Sequence, residues 1–583
     1  VKIKSKIIHR AMLIGLLVML SAGYAIRESV SAREAARVVP SRALTHPGTT
    51  PFLIEQARKL GTLDTATADL YLAYAFYDYE KLPKDYRSQE PWHGTLTHKR
   101  LVEENALAPA GPSRTTISNL LTGNCGGYSG GASIGNSTNF HVEYNSISGG
   151  LTITDYIDSL ETAWTSQITT FGWAAPPVSG SNPPPGSRYH VRIEGLGGGL
   201  YGFVTTSGTH TQNVGNNPNT AWNDVDAWAS CMVLNSNYSG FASPAQESLD
   251  ATTAHEFHHS IQFGYGAITG ANAADNVFVE GGASWVEDEV FDYSNDNYYF
   301  LWPSFTACMG SYSGSPYPYW VVFRAMSEPH GTGTAGAGEQ VYQDFWEEIS
   351  QSGSAIELDA LNTALTNKGT NLPDAFHNAA IANRFNISCG GGYVLPYCLE
   401  EGPGYVSVSG APPIQGTINS VGSSYNGSLP DNYSMEWINL PTSGGPYDVT
   451  LTNNNGSGGE LRGSVVCNTG SEFQVHAMPG VVGPSSSTTL SNFDPSGCTT
   501  VSAILTNQSQ TAASPNSCSN RSFTVDTDAS TGPSPTPSDT PTPTLTPLPT
   551  MTSSPTVSPT ASSSPTPTET PAPAIWFPLV IED

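Results

Sequence analysis

The apolar positions of this 583-residue chain change period along its length, and each change marks a change of architecture. Residues 154–171 place Tyr156, Ile157, Leu160, Trp164, Ile168 and Phe171 at helical spacing, which predicts an amphipathic helix. Earlier, Ile54, Ala57 and Leu60 share that spacing, and a second apolar-rich run covers Asp64 to Tyr79. Tyr189–Glu194 and Tyr201–Thr205 read as strands, and Cys231–Leu234 is a further short apolar run. A long helix is predicted from Pro244 to Phe263. Its start is a capping box at Ser243-Pro244-Ala245-Gln246 with Pro at the first helical position, and Gly264 is its expected stop. Another helix is predicted over 276–291, with Gly266, Gly270 and Asn272 letting the chain reverse between the two.

Beyond residue 405 the period falls to two. Tyr433, Met435 and Trp437 alternate, as do Tyr447, Val449 and Leu451, and Phe473, Val475 and Ala477. Turn clusters rich in Gly, Asn, Ser and Pro separate them, which predicts an antiparallel β-sandwich. Residues 531–573 are almost wholly Pro, Thr and Ser and cannot bury a core, so they read as a disordered stalk. The tail, residues 574–583, is apolar but too short to span a bilayer; cell-surface association is its expected use.

Composition sets the cellular context. The formal net charge is -27 with 23 Lys and Arg, so no basic footprint for nucleic acid is present. Lys2, Lys4, Lys6 and Arg10 precede an apolar run over 11–25, with small residues at Ala25 and at Ser31-Ala32. That is the pattern of an export signal, with no stable span left after its removal. The 8 cysteines are even in number and contain no C-x-x-C, which fits disulfides in a secreted or cell-surface protein. Cys389–Cys398 and Cys467–Cys498 are the first pairs expected. The domain plan is then a signal peptide at 1–32, an N-terminal region at 33–120 and a main domain at 121–400. A sandwich at 401–530, a linker at 531–573 and the tail at 574–583 follow. The N-terminal region is either a propeptide or a subdomain that stays attached.

Chemistry enters at His255-Glu256-Phe257-His258-His259. Residues four apart share a helix face, so His255 and His259 can offer two imidazoles to one metal ion, with Glu256 beside them as general base. His258 points off that stripe and reads as packing or surface. A catalytic zinc needs a third protein ligand. The metzincin pattern requires Gly and His where this chain has Gln262 and Tyr265, so that class is excluded. Glu280, 21 residues after His259, is the natural third ligand. Gly281, Gly282 and Ala283 beside it are small enough to let the second helix approach the first. Glu287 or Asp288 is the expected acceptor for a ligand imidazole N–H.

The pair HEFHH and EGGASWVED resembles the gluzincin zinc peptidases. More closely, the chain resembles a family of secreted bacterial metalloproteases. That similarity covers roughly residues 50–350. It includes Gly61-Thr62-Leu63-Asp64, Leu82-Pro83-Lys84-Asp85-Tyr86, Asp155-Tyr156-Ile157, Gly172-Trp173-Ala174-Ala175-Pro176, Asn237-Tyr238-Ser239-Gly240-Phe241 and Trp285-Val286-Glu287-Asp288-Glu289-Val290. The resemblance implies an α+β zincin-like domain with a long HExxH helix and a mixed sheet. It implies zinc held by His255, His259 and Glu280, and Glu256 activating a water against a peptide bond of a protein or peptide substrate. A second oxyanion donor is expected, with Tyr319 and His330 as candidates and Tyr265 a weaker one.

Other signals carry less. Gly195-Leu196-Gly197-Gly198-Gly199-Leu200 reads as strand–turn–strand and not as a nucleotide loop. In a gluzincin this region lies in the upper sheet, whose edge strand pairs with substrate backbone. Asn223-Asp224-Val225-Asp226 and residues 292–297 cluster oxygen donors of the kind that bind structural Ca2+, without EF-hand spacing. The alternative to a peptidase is a non-catalytic secreted surface or carbohydrate-binding protein on a degenerate peptidase scaffold. A zinc hydrolase acting on a non-peptide bond is a third reading.

Overall fold

The computed structural model describes residues 48–121, 133–178, 187–206, 213–268, 276–301, 308–309, 316–331, 338–351, 357–510 and 518–530. The export signal, Cys125, the 269–275 reversal, the linker and the tail lie outside the described residues.

Four helices come first among the described residues: α1 (Thr50–Lys59), α2 (Thr65–Tyr77), α3 (Thr95–Leu107) and α4 (Pro112–Leu121). Thr49 and Asp64 cap α1 and α2 by accepting backbone N–H groups of the first turn. Leu60 does not join the apolar face of α1. It is the C-cap and is exposed, because Gly61 turns the chain with a positive φ just after it.

A five-stranded mixed sheet follows: β1 (Ser133–Asn136), β2 (Phe140–Tyr144), β3 (Tyr189–Glu194), β4 (Gly202–Thr205) and β5 (Cys231–Asn235), in the order β1-β2-β3-β5-β4. β2, β3 and β5 are parallel, and β1 and β4 are antiparallel edges. Alternation sorts the two faces. Phe140, Val142, Tyr189 and Val191 point into the large core shared with α5 (Ile153–Trp164) and α6 (Ala245–Gly264). On the opposite face Phe203 and Val233 join Ile54, Leu72, Phe76 and Leu101 of the N-terminal helices in a second core.

The predicted helix over 154–171 is regular only to Trp164. Thr165–Thr170 form a π-helical turn. Its extra residue shifts the phase, so Gln167 is buried and Ile168 is only partly so. Gln167 Nε2 donates to the carbonyl of Ala254 at 3.0 Å, inside the HExxH helix.

That helix, α6, begins at Ala245 with Pro244 as its N-cap, and no side chain caps it. The expected capping box is therefore not formed. Gly264 is its last helical residue, and Gly266, at φ +70, makes the left-handed turn that ends it. From Ser248 to Gly264 every residue is buried, although many are polar. Such a helix is tolerable only if its polar atoms find partners. Asp250 is met by Ser159 and Gln246, and Ser260 by Tyr189.

α7 (Asn276–Val290) packs beside α6, and Gln262 Nε2 donates to the carbonyl of Val279 at 3.0 Å across the pair. Gly281 does not serve that approach. A Cβ there would meet Phe323 and Tyr319, so Gly281 faces the 316–323 segment. Gly282 does face α6, near Gln262 and His258, but at ordinary contact distance. Four more helices complete this part: α8 (Trp320–Ser327), α9 (Gln340–Gln351), α10 (Glu357–Asn367) and α11 (Leu372–Phe385). A short α12 (Gly402–Ser409) leads onward.

The C-terminal region is largely β. Its strands are β6 (Ser423–Pro430), β7 (Ser434–Leu440), β8 (Tyr447–Asn453), β9 (Leu461–Asn468), β10 (Phe473–Ala477), β11 (Ser487–Phe493), β12 (Thr500–Asn507) and β13 (Asn520–Ala529). One sheet runs β10-β9-β12-β7 and ends on the short Gly416–Thr417 strand, which is parallel to β7. The other runs β11-β8-β13-β6. Leu440, Val465, Ala503, Val449, Leu451 and Phe523 form one core between them.

The alternating Met435 and Trp437 face the other way, into the large α+β core. There α11 covers the sheet: Trp437 Nε1 donates to the carbonyl of Ala380 at 2.9 Å, and Arg384 Nη2 to Asn439 Oδ1 at 2.8 Å. Cys389–Cys398, Cys467–Cys498 and Cys308–Cys518 are disulfide-bonded, as is Cys231. The first two are the pairs expected from sequence. Among the described residues, no helix is long and apolar enough to cross a membrane.

Two buried histidines bear on how stability should depend on pH. His377 lies between Thr506 and Ser464, and His98 meets the Tyr77 hydroxyl. Burial pushes each imidazole down to about 3. In the unfolded chain they titrate near 6.5, so protons bind the unfolded state better. Their contribution to stability is complete above about pH 6.5 and is lost as pH falls toward 3. Between about pH 6.5 and 5 this lowers the urea midpoint, against the opposite contribution of carboxyls that burial raises, such as Asp69 to about 6 and Glu436 to about 7. His377→Gln should flatten that drop; an unchanged slope would reject the assignment.

Candidate metal centre

The geometry of α6 and α7 brings His255, His259 and Glu280 to one point. His255 Nε2 and His259 Nε2 each lie 3.2 Å from Glu280 Oε2, and 3.1 Å from one another. These ligand atoms could hold a metal ion, and the three residues are buried. Tetrahedral ligands at bonds of about 2.0 Å sit about 3.3 Å apart, so the near-equilateral triangle has the size of a zinc site.

The hydrogen-bond network assigns the tautomers. His255 Nδ1 lies 2.7 Å from Glu287 Oε1, and His259 Nδ1 lies 2.7 Å from Gln262 Oε1. With both Nδ1–H groups donating outward, both Nε2 lone pairs face the Glu280 carboxylate. Three lone pairs converging in a buried space repel unless a proton or a cation sits among them. Of the two expected acceptors, Glu287 holds His255, while Asp288 turns to Arg324 at 2.5 Å.

Electrostatics follow from this arrangement. Burial, with His93 and His259 nearby, holds the His255 imidazole well below its usual range, in the neutral form that ligates metals. Burial also pushes His259 down, but the Glu280 carboxylate outweighs it and raises it. For Glu256 burial pushes upward, yet the His93 hydrogen bond and the surrounding imidazoles win and hold it below the ordinary carboxylate range. Glu287 is driven well upward by burial and by Asp296 and Glu256.

Residues that sequence reasoning missed come from the N-terminal region. Thr95 Oγ1 donates to Glu256 Oε2 at 2.7 Å and accepts from the Val204 N–H at 2.8 Å, tying Glu256 to β4. His93 Nδ1 lies 3.2 Å from Glu256 Oε1, and its ring stacks on His255 at 3.7 Å between centroids. Gly202 is required here as well: a Cβ would lie 2.8 Å from the Val233 carbonyl and 3.3 Å from Glu256 Cγ. No periodicity marks His93 or Thr95, since each acts across more than 150 residues of chain. The same segment caps the sheet edge expected to bind substrate backbone: the Gly94 N–H donates to the carbonyl of Gly202 and the Trp92 N–H to that of Gly199.

Thr95→Val should therefore strand a buried amide and a carboxylate oxygen. We expect a loss of about 1–3 kcal/mol in chemical denaturation; an unchanged midpoint would show that the hydroxyl is dispensable.

The remaining expectations divide. His258 is a packing residue: it is buried, its Nδ1–H donates to Gln167 Oε1 at 3.1 Å, and its ring lies edge-on to Trp173. Tyr265 is occupied elsewhere, accepting the Ala174 N–H. His330 lines a separate cavity with Met326, Asn378 and Pro396, and Tyr319 lies beside Gly281. Tyr317 instead places its ring 6.1 Å from His255 and 5.7 Å from His93, with its hydroxyl donating to the His93 carbonyl. Asp224 spends its oxygens on Asn217, Thr220 and Trp222. Among the described residues neither acidic stretch forms a metal-holding group.

A second set, His93, His255 and Glu287, shares His255 with the first. Its separations are uneven, 2.7 Å for His255 Nδ1 to Glu287 and 3.9 Å for His93 Nε2 to Glu287. The shorter one is a hydrogen bond, so the first set is the better metal centre. No protein-family model matches this chain and no curated protein matches it, so the gluzincin likeness rests on the motif residues and on this geometry.

Proposed function

We propose that this chain is a secreted zinc-dependent endopeptidase. The observation that carries the reading is the triangle of His255, His259 and Glu280, with Glu256 next to His255 in sequence and held by Thr95 and His93. His255, His259 and Glu280 would hold the zinc, which would supply a Lewis acid for acidifying a water and polarising a carbonyl. Glu256 takes the proton of the attacking water and returns it to the leaving amine nitrogen. Thr95 and His93 hold the Glu256 carboxylate in place, and Tyr317 sets a phenol beside His255. Disulfides are in keeping with an oxidising compartment. The test is zinc analysis of the purified full chain together with casein hydrolysis. Stoichiometric zinc and chelator-sensitive cleavage are expected; absence of bound zinc rejects the reading.

Burial of the set favours one other reading. His255 and His259 are 0% exposed and Glu280 is 2% exposed, so a peptide must displace covering residues to reach them. A buried zinc on a non-catalytic surface protein fits that fact. Zinc without hydrolysis of casein or of a peptide library would decide for it.

We propose further that residues 50–121 stay with the active protein and are not a removed propeptide. Their helices share a core with Leu200, Phe203 and Val233, and Thr95 and His93 serve Glu256. Intact mass of the active species should include them. Activity that appears only after their proteolytic release would overturn this.

A further inference from the structure

The outer face of the N-terminal sheet changes character from one edge to the other. Under the N-terminal helices, β4 and β5 present apolar Phe203 and Val233. On β2 and β3 the same face presents His141, Glu143, His190 and Arg192. Residues 141 and 190 are register partners on parallel strands, as are 143 and 192. Residues i and i+2 share a face, so His141 and Glu143 stand together on β2 beside His190.

Their ligand atoms converge. His141 Nε2 lies 3.2 Å from Glu143 Oε1, and His190 Nε2 lies 3.7 Å from the same oxygen. Those separations bracket the roughly 3.3–3.4 Å expected between tetrahedral ligands on zinc. The two rings are 5.6 Å apart and tilted, so neither stacks on the other. Asn136, the β1 register partner of His141, lies with its Oδ1 2.7 Å from His141 Nδ1. That contact fixes the ring and directs the Nε2 lone pair at Glu143, as an outer partner does for a metal-bound histidine. Arg192 ion-pairs with Glu194 on its own strand. Both histidines are buried, at 6% and 3% exposure.

We propose that His141, Glu143 and His190 form a second metal site, separate from the HExxH centre, for a borderline divalent ion such as Zn2+. Two imidazoles and one carboxylate suit zinc, cobalt or nickel and not calcium or magnesium, which prefer oxygen donors. The ligands come from two adjacent strands, β2 and β3, and Asn136 of β1 holds one of them, so the sheet positions them before metal arrives. The role of the site is to tie β2 to β3.

The test counts metal and does not read activity, so it stands apart from the peptidase reading. Metal-stripped full chain is dialysed against zinc and analysed by elemental mass spectrometry. About two equivalents are expected for wild type and about one each for His259→Ala and His190→Ala. Wild-type zinc content in both His190→Ala and His141→Ala overturns the proposal. Should far-UV circular dichroism show that either alanine variant does not fold, Glu143→Gln replaces it. In the His259→Ala background, Co2+ should give a d–d spectrum that Glu143→Gln removes. A background chain without any cobalt spectrum also overturns the proposal.

Discussion

Glu256→Gln is expected to keep zinc at the wild-type level and to lose about 10²–10⁴-fold in casein hydrolysis. The amide has the shape of the carboxylate but cannot accept a proton. Its oxygen can still receive the Thr95 hydroxyl, which bonds Glu256 at 2.7 Å. Its NH2 group then faces His93 Nδ1, and the imidazole can answer by changing tautomer. Among the described residues, His93 Nε2 has no hydrogen bond that such a change would cost; the Glu287 carboxylate lies 3.9 Å away and can meet the new N–H. The variant should therefore fold normally. Wild-type activity in it would remove Glu256 from the chemistry. Loss of zinc would mean that Glu256 holds the metal and does not act as the base.

Removing zinc should weaken the fold as well as stop hydrolysis. His255 Nε2, His259 Nε2 and Glu280 Oε2 crowd within 3.1–3.2 Å of each other, all buried. A ligand that binds only the folded chain stabilises it by about 4 kcal/mol when its free concentration is 1,000 times Kd. Chelation should accordingly lower the denaturant midpoint of wild type. Glu280→Gln, which replaces a charged ligand by a neutral one, should start low and respond little. Measuring both in the His190→Ala background isolates this centre from the site on the outer sheet face. Equal chelator shifts with and without the Glu280 carboxylate would show that it is not a ligand.

The ligand set was legible because its geometry is local. His255 and His259 need only one turn of helix, and Glu280 needs only a second helix folded back on the first. The helix limits were read nearly to the residue, while the caps were not. Pro244 is the N-cap without a side-chain partner, and the positive φ falls on Gly266 and not on Gly264. The π-turn at Thr165–Thr170 was hidden because a polar residue, Gln167, is what it buries. Its reward is a contact with α6 that no apolar pattern records.

The alternation in the C-terminal strands correctly indicated sheets but not which face meets what. Met435 and Trp437 look like the interior of a sandwich, yet they pack toward α11 and the large core. Tyr317 was passed over for Tyr319 because a phenol's sequence position does not reveal its direction.

The elements and the chemical inventory are written in the order of residues: two long helices, two strand-rich regions, and two histidines with two glutamates at usable spacing. Those follow from side-chain periodicity and backbone preference, which act over a few residues. What surrounds them depends on packing across the whole fold. Packing set Thr95 and His93 on Glu256, chose Glu287 over Asp288 for His255, and placed Gly202 under α6 and His141 beside His190 across two strands. The physical reason is that a buried polar atom must find its partner wherever packing brings one. That partner lies 161 residues away for Thr95 and Glu256 and 163 away for His93 and Glu256. No local pattern encodes such a distance.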